Sequence, residues 1–298
     1  MPLRIAFIGC VASSRIALET LMSLPPSICE VVGIITMRSN RINSDFVDLS
    51  YLAGPFTPVL FVEDAIDHVS QAIWLKALAP DLIFCVGWSR LLSDSVLQAA
   101  TRGVVGFHPA ALPANRGRHP IVWALALGLT QTASTFFLMD SGADSGPILS
   151  QISIDINHAD DAASLYAKVV ELIPYQIESI VRGLNDGSIV PKSQDQSRAT
   201  YWRKRSAEDG RIDWRMEPSA VRNLVRSLAR PYPGAHFSHQ GREVKVWKCS
   251  ELTEGLPNDE PGKVLAVNGR VITVRCGRGS VLLIEHELDT LPALGAYL

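Results

Sequence analysis

The chain has 298 residues, 47% apolar and 19% charged, with 28 Lys and Arg against 30 Asp and Glu for a net charge of −2. That length buries a substantial core and predicts two domains. The charge balance excludes a global electrostatic pull toward nucleic acid or an anionic membrane, and no apolar run reaches the roughly 20 residues of a membrane span.

The first element is a short apolar run, LRIAFIG (3–9), closed by glycine as in a strand buried on both faces. A helix follows over 13–24, ending at Pro25-Pro26. Strands are predicted at 30–36, 58–61, 81–86 and 103–107, with helices at 69–78 and 94–100 between them. This alternation predicts a parallel α/β sheet with right-handed crossovers. Gly9 is followed by CVASS, so there is no GxGxxG and a dinucleotide cofactor is poorly supported. The five cysteines, at 10, 29, 85, 249 and 276, form no CxxC pair. Their odd number and spacing predict neither disulfides nor a metal, and a cytoplasmic protein. The N-terminus runs straight into the first strand, without the apolar stretch of a signal peptide.

A helix is expected at 119–127, just after a histidine-bearing loop that it would support from below. Strands at 133–138 and 148–156 flank a second, glycine-rich loop. The longest helical pattern is 160–187, with Asp160 or Asp161 as N-cap, and the polar run NDGSIVPKSQDQSRA (185–199) reads as a linker. Beyond it, 218–230 is amphipathic, with Arg222, Arg226 and Arg230 opposite the apolar stripe. Five short β runs (235–238, 243–249, 262–267, 271–276, 280–285) then suit a small OB-like barrel. The expected division is 1–190, a linker at 191–204, and a C-terminal domain at 205–298.

The chemistry concentrates in GFHPAALPANRGRHP (106–120) and MDSGADSG (139–146). His108 ends an apolar run and Asp144 sits in the glycine-rich loop, so both come from strand ends, where open α/β sheets place reactive groups. Taken singly, a histidine at a strand end is more often structural, and an aspartate beside glycine is usually turn chemistry. Together they are a proton-transfer pair, because a carboxylate fixes the tautomer of an imidazole. Cys10 has no adjacent base in sequence and is not a nucleophile.

The combined pattern His-Pro-x-x-Leu-Pro-x-x-Arg-Gly and Met-Asp-x-Gly-x-Asp-x-Gly closely resembles the folate-dependent formyltransferases. These include methionyl-tRNA, glycinamide ribonucleotide and sugar-nucleotide enzymes. GRIDW (210–214), RPYPGA (230–235) and VKVWK (244–248) extend the resemblance into the C-terminal domain. It implies a Rossmann-like formyltransferase domain followed by a small β-rich domain. The implied co-substrate is N10-formyltetrahydrofolate, no metal is needed, and His108 and Asp144 are catalytic. It also implies that the pterin ring is held through main-chain groups of Phe84, Cys85, Val86, Gly87 and Trp88, with Ala111, Leu112, Pro113, Asp140 and Gly142 as further walls. Arg116, Arg118, His119, Trp202 and Arg203 are candidate substrate-binding residues, because basic and aromatic side chains beside the site suit an anionic acceptor.

One position departs from the pattern. The family begins it Asn-x-His, and Gly106 stands where that asparagine donates to the formyl oxygen. Loss of one oxyanion donor typically costs about 3–4 kcal/mol. An active chain is therefore expected to place a water or a relocated polar side chain, such as Asn115, in the vacated volume, and Gly106→Asn to be neutral or activating.

The wording of 117–125 and 137–146 is most similar to enzymes acting on nucleotide-linked amino deoxysugars. A methionyl-tRNA enzyme is the second reading. It is disfavoured because the loop MRSNRIN (37–43) carries only two arginines, where the tRNA enzymes have a longer basic insertion. An inactive folate- or nucleotide-binding homologue, motivated by Gly106, is the third. The partner expected is thus a small nucleotide sugar, with no membrane, tRNA disfavoured, and a homodimer as the candidate assembly.

Overall fold

The computed structural model describes residues 1–39, 45–62, 68–252 and 258–298. Most of the 37–43 loop, weighed above for its arginines, lies outside the described residues. The chain folds as two compact units. The first comprises Met1–Gly117, Ala133–Ile154 and Lys168–Tyr201, and the second Arg118–Thr132, Asp155–Ala167 and Trp202–Leu298. The units therefore interleave in sequence, where two consecutive domains separated at 191–204 were expected. The 191–199 segment also binds back onto the first unit: Lys192 exchanges both backbone hydrogen bonds with Ile148 at 2.8 Å, and Gln194 is buried.

Seven strands form the first sheet: β1 (Leu3–Ile8), β2 (Cys29–Thr36), β3 (Val59–Phe61), β4 (Leu82–Cys85), β5 (Val104–His108), β6 (Gln131–Leu138) and β7 (Ile148–Asp155). Their order is β3-β2-β1-β4-β5-β6-β7. The β1–β2, β2–β3, β1–β4 and β4–β5 pairs are parallel, and β5–β6 is antiparallel. Ile5, Ala6, Phe7 and Ile8 are all fully buried, which is why this run carries no polar alternation. Helices 12–23 and 173–186 cover one face through Leu18, Leu21, Ile177 and Ile180. Helix 68–78 and the short helix 94–97 cover the other through Ala72, Leu75 and Val96. The sheet is doubly wound, and its strand order reverses between β1 and β4, where such folds open a ligand crevice.

The long helix predicted at 160–187 is two helices, Ala162–Glu171 and Ile173–Asp186. Pro174 is the cause: it has no N–H for the preceding turn and its ring clashes with the carbonyl four residues back. The N-cap expectation stands, since Asp161 Oδ1 accepts the Ser164 N–H at 2.9 Å.

In the second unit, β8 (Ala235–His239), β9 (Arg242–Leu252), β10 (Val264–Asn268), β11 (Val271–Arg275) and β12 (Ser280–His286) form an antiparallel sheet of order β8-β9-β12-β11-β10. Its core gathers Trp214, Phe237, Val246, Ile272 and Leu283 with Val221, Leu224 and Val225 of helix 218–227. Val122 joins that core, so helix 120–126 belongs to this unit. The arginines of helix 218–227 are not an open basic face. Arg222 donates to the His158 carbonyl, and Arg226 Nη1 to those of Asn157 at 3.2 Å and Asp160 at 3.1 Å. No helix among the described residues is long and apolar enough to cross a membrane.

Candidate active site

His108 closes β5 and pairs with Thr135 of β6. Thr135 Oγ1 donates to the Ala110 carbonyl at 2.7 Å, and Gln151 Nε2 donates to the Leu112 carbonyl at 2.9 Å. The loop after the histidine is thus pinned from two neighbouring strands. His108 is 5% exposed, and its Nε2 lies 2.8 Å from the Asn115 carbonyl oxygen. A carbonyl only accepts, so Nε2 carries the hydrogen and Nδ1 is the atom left to take a proton. Nδ1 faces Asp144 Oδ2 at 3.6 Å. That is longer than a hydrogen bond but within ion-pair range.

Asp144 does not reach the histidine from a parallel strand end. Because β6 runs antiparallel, Leu138 is level with Val105 rather than His108, and the loop 139–147 must itself turn back. It does so through an Asx turn, in which Asp140 Oδ1 accepts from the Gly142 N–H at 3.0 Å and the Ser145 hydroxyl at 2.6 Å. Asp144 sits in the left-handed region with φ +53°, and its Oδ2 accepts the Gly117 N–H at 2.8 Å. A Cβ at Gly146 would fall 1.7 Å from the Leu138 carbonyl oxygen, so this close return admits only glycine.

The expected folate segment divides in two. Phe84, Cys85 and Val86 are interior: their side chains are buried, and Phe84 and Cys85 are laddered to both β1 and β5. Val86 donates to the Ile8 carbonyl at 3.0 Å and accepts the Ser14 hydroxyl at 2.6 Å, so its main chain is already committed. Burial pushes the Cys85 thiol up to about 12, which keeps it a neutral packing group. Gly87 and Trp88, beyond the strand at the order reversal, are the members left for a ligand. Gly87 has φ +64°, and a Cβ there would lie 2.1 Å from Val11 Cγ2. Ala111, Leu112 and Pro113 line a cavity of about 680 Å³ shared with Gln151, Lys192 and Arg198, while His108 and Asp144 lie outside its lining. Asp140 and Gly142 are exposed on the return loop.

Among the expected substrate residues, Arg116 is placed otherwise. It is fully buried, and its guanidinium donates to Gln194 Oε1 (3.2 and 2.7 Å), Gln196 Oε1 (2.9 Å) and the Tyr201 hydroxyl (2.7 Å). Four of its five N–H donors are taken by two amides and a phenol, so the buried fork is committed to the fold. Sequence reasoning missed Gln194, Thr135 and Gln151 altogether, since nothing in a lone polar residue signals such a role.

In the second unit, Arg118 and Arg203 are exposed and Trp202 is half-buried. Arg203 pairs with Asp209 and lies 5.3 Å from the centroid of the Trp123 ring, with Arg205 at 4.5 Å from the same ring. His119 is the left-handed N-cap of helix 120–126, φ +57°, and its Nε2 is buried without a hydrogen-bond partner. Burial first, then Arg118, Arg205 and Lys204, hold its imidazole below the ordinary histidine range. The folded state thus resists protonation, and below about pH 6.5 the unfolded chain binds the extra proton. Stability of this unit therefore falls as pH drops through that value. His119→Asn, which tolerates the left-handed backbone, should show a smaller loss of melting temperature between about pH 7.5 and 5.5 than wild type does.

Gly106 corrects one expectation. A Cβ built there meets Met139 Cγ at 2.7 Å, Phe137 Cζ at 3.0 Å and Met139 Sδ at 3.1 Å, so apolar side chains fill the vacated volume. Asn115 is elsewhere: its Oδ1 accepts the Thr200 hydroxyl at 3.3 Å, and Thr200 Oγ1 in turn accepts the Asn115 N–H at 2.8 Å. Gly106→Asn should therefore destabilise by about 1–3 kcal/mol through overpacking. The cost should shrink when Met139→Ala is added, a coupling that thermal denaturation of the four variants measures.

Two family models match the chain: formyl transferase over residues 56–177, and the formyl transferase C-terminal domain over 204–296. A methionyl-tRNA formyltransferase of Caldanaerobacter subterraneus subsp. tengcongensis is 31% identical over 98% of this chain and 94% of its own length. An N-formyltransferase from Helicobacter canadensis, solved with folinic acid and dTDP-3-aminofucose, superposes with TM-score 0.71 at 15% identity, covering 94% of this chain and 98% of that one. HypX from Aquifex aeolicus, solved with tetrahydrofolic acid, superposes with TM-score 0.65 at 19% identity. It matches 97% of this chain, which spans only 45% of HypX. These likenesses to solved structures show the fold, whereas the family models and the 31% relative decide the family. The chain belongs to the folate-dependent formyltransferase family, the transferases of one-carbon groups.

Proposed function

We propose that the chain formylates the amine of a nucleotide-linked amino deoxysugar, with His108 and Asp144 as its proton-handling pair. The observation that carries the chemistry is a buried imidazole whose Nε2–H is fixed by the Asn115 carbonyl and whose Nδ1 faces a carboxylate. An amine attacking a formyl group must lose a proton. His108 Nδ1 takes it, and the resulting imidazolium is balanced by Asp144 across the 3.6 Å gap, which can close as charge develops. N10-formyltetrahydrofolate supplies the formyl group. Gly87, Trp88 and the Asp140–Gly142 turn are the residues that fit its heterocycle: main chain beyond a strand end, one half-buried aromatic ring, and an exposed glycine-containing loop.

Electrostatics support a small acceptor over an RNA. The net charge is −2, and Arg222 and Arg226 are engaged with chain carbonyls, so no row of free arginines tracks a phosphate backbone on that helix. Arg118, Arg203, which is exposed though paired with Asp209, and Trp202 are the second unit's candidates for contact with a nucleotide. Methionyl-tRNA is the second reading, favoured by the 31% identical relative. An inactive binding homologue is the third, favoured by the apolar filling at Gly106. The test supplies the formyl donor with a panel of UDP-, dTDP- and CMP-linked amino sugars and with charged initiator tRNA, and follows product mass. Turnover on a sugar supports the reading; turnover on tRNA alone replaces it. Silence across the panel with folate still bound establishes the binding homologue.

A further inference from the structure

Gln194 ties the buried Arg116 to the backbone of the Asp144 loop. Its Oε1 accepts from Arg116, so its amide nitrogen must point the other way, and there Nε2 donates to the Asp144 carbonyl at 2.9 Å and the Gly146 carbonyl at 2.7 Å. The residue after Arg116 completes the hold, since the Gly117 N–H donates to the Asp144 carboxylate. One short segment thus grips Asp144 twice, at its head group directly and at its main chain through Gln194. The grip matters because Asp144 sits in the left-handed region, which an aspartate can visit but need not keep, so its neighbours hold the carboxylate's aim. Gln194 itself is 8% exposed, and its four hydrogen bonds use both ends of the amide.

We infer that Gln194 is a positioning residue for formyl transfer, setting the distance and angle of the Asp144 carboxylate to His108. The inference rests on the reading of Asp144 as a site carboxylate. Gln194→Glu separates positioning from packing. A carboxylate there still accepts from Arg116, so the fold is kept, but it turns oxygens toward the two carbonyls that Nε2 now serves and pushes the return loop away.

Kinetics and melting of Gln194→Glu, with Asp144→Asn alongside, test the inference on the full chain. A misplacement near 1 Å costs about a hundredfold in rate, so kcat should fall by about that factor. KM for the formyl donor should stay within about twofold, and the loss of stability should not exceed that of the two hydrogen bonds removed. In the side-chain ¹⁵N spectrum of the histidines, which needs no acceptor, His108 should shift in Gln194→Glu. If that variant does not fold, the uncharged Gln194→Met is scored by the same kcat-to-KM split and the same spectrum. Wild-type kcat and an unmoved His108 signal, with Asp144→Asn inactive, overturn the positioning role and leave the site standing. Parallel loss of kcat, KM and melting temperature also overturns it, as mere support of the fold. An active Asp144→Asn overturns both.

Discussion

His108→Ala should lower kcat by about a hundredfold or more, measured where the variant is still fully folded, because general base catalysis is commonly worth that much. The ring contributes one hydrogen bond to the loop 109–115, from Nε2–H to the Asn115 carbonyl. Asp144→Asn should produce a loss of similar size. It keeps the shape and the acceptor for the Gly117 N–H, yet removes the charge that balances an imidazolium. Steady-state kinetics on the acceptor found by the panel check both variants. Retention of more than about a tenth of the wild-type rate in either would remove that residue from the proton-handling pair.

Arg116→Ala carries the second large effect, and it is one of stability. The substitution leaves Gln194 Oε1 unpaired in the interior and opens the volume of a long side chain, together worth about 2–4 kcal/mol. For a unit of this size that corresponds to a fall in melting temperature of roughly 5–12 °C. Arg116→Lys should recover less than half of it, since an ammonium cannot span two amides and a phenol from one planar fork. If Arg116 instead contacted substrate, the alanine variant would raise KM at unchanged stability, and differential scanning fluorimetry beside kinetics separates the two.

The contrast between His108 and Arg116 shows what sequence reveals and where it stops. The strands around IAFI (5–8) and LIFC (82–85) were legible because burial on both faces leaves an uninterrupted apolar run, and His108 and Asp144 because their loops combine unusual residues at fixed spacing. The two arginines Arg116 and Arg118 look alike in sequence, yet one is fully buried and the other exposed, a difference set by partners some eighty positions away. Gln194 was hidden for the same reason: within PKSQDQSRA it reads as linker, and only the return of that segment onto Arg116 and the Asp144 loop gives it a task. Met139 beside Gly106 required the register of β5 against β6. The break at Leu172 was within reach of sequence, since Pro174 announces it.

The interleaving of the two units bears on how this architecture can be taken apart. A gene truncated after Tyr201 would still encode 118–132 and 155–167, segments whose packing partners, including the core around Val122, lie in the missing portion. Conversely, a fragment starting at Trp202 would lack two pieces of its own unit. Neither half is therefore a cassette that recombination could exchange at a single crossover, and a chimera with another formyltransferase should keep its stability only when those two internal segments travel with the C-terminal portion.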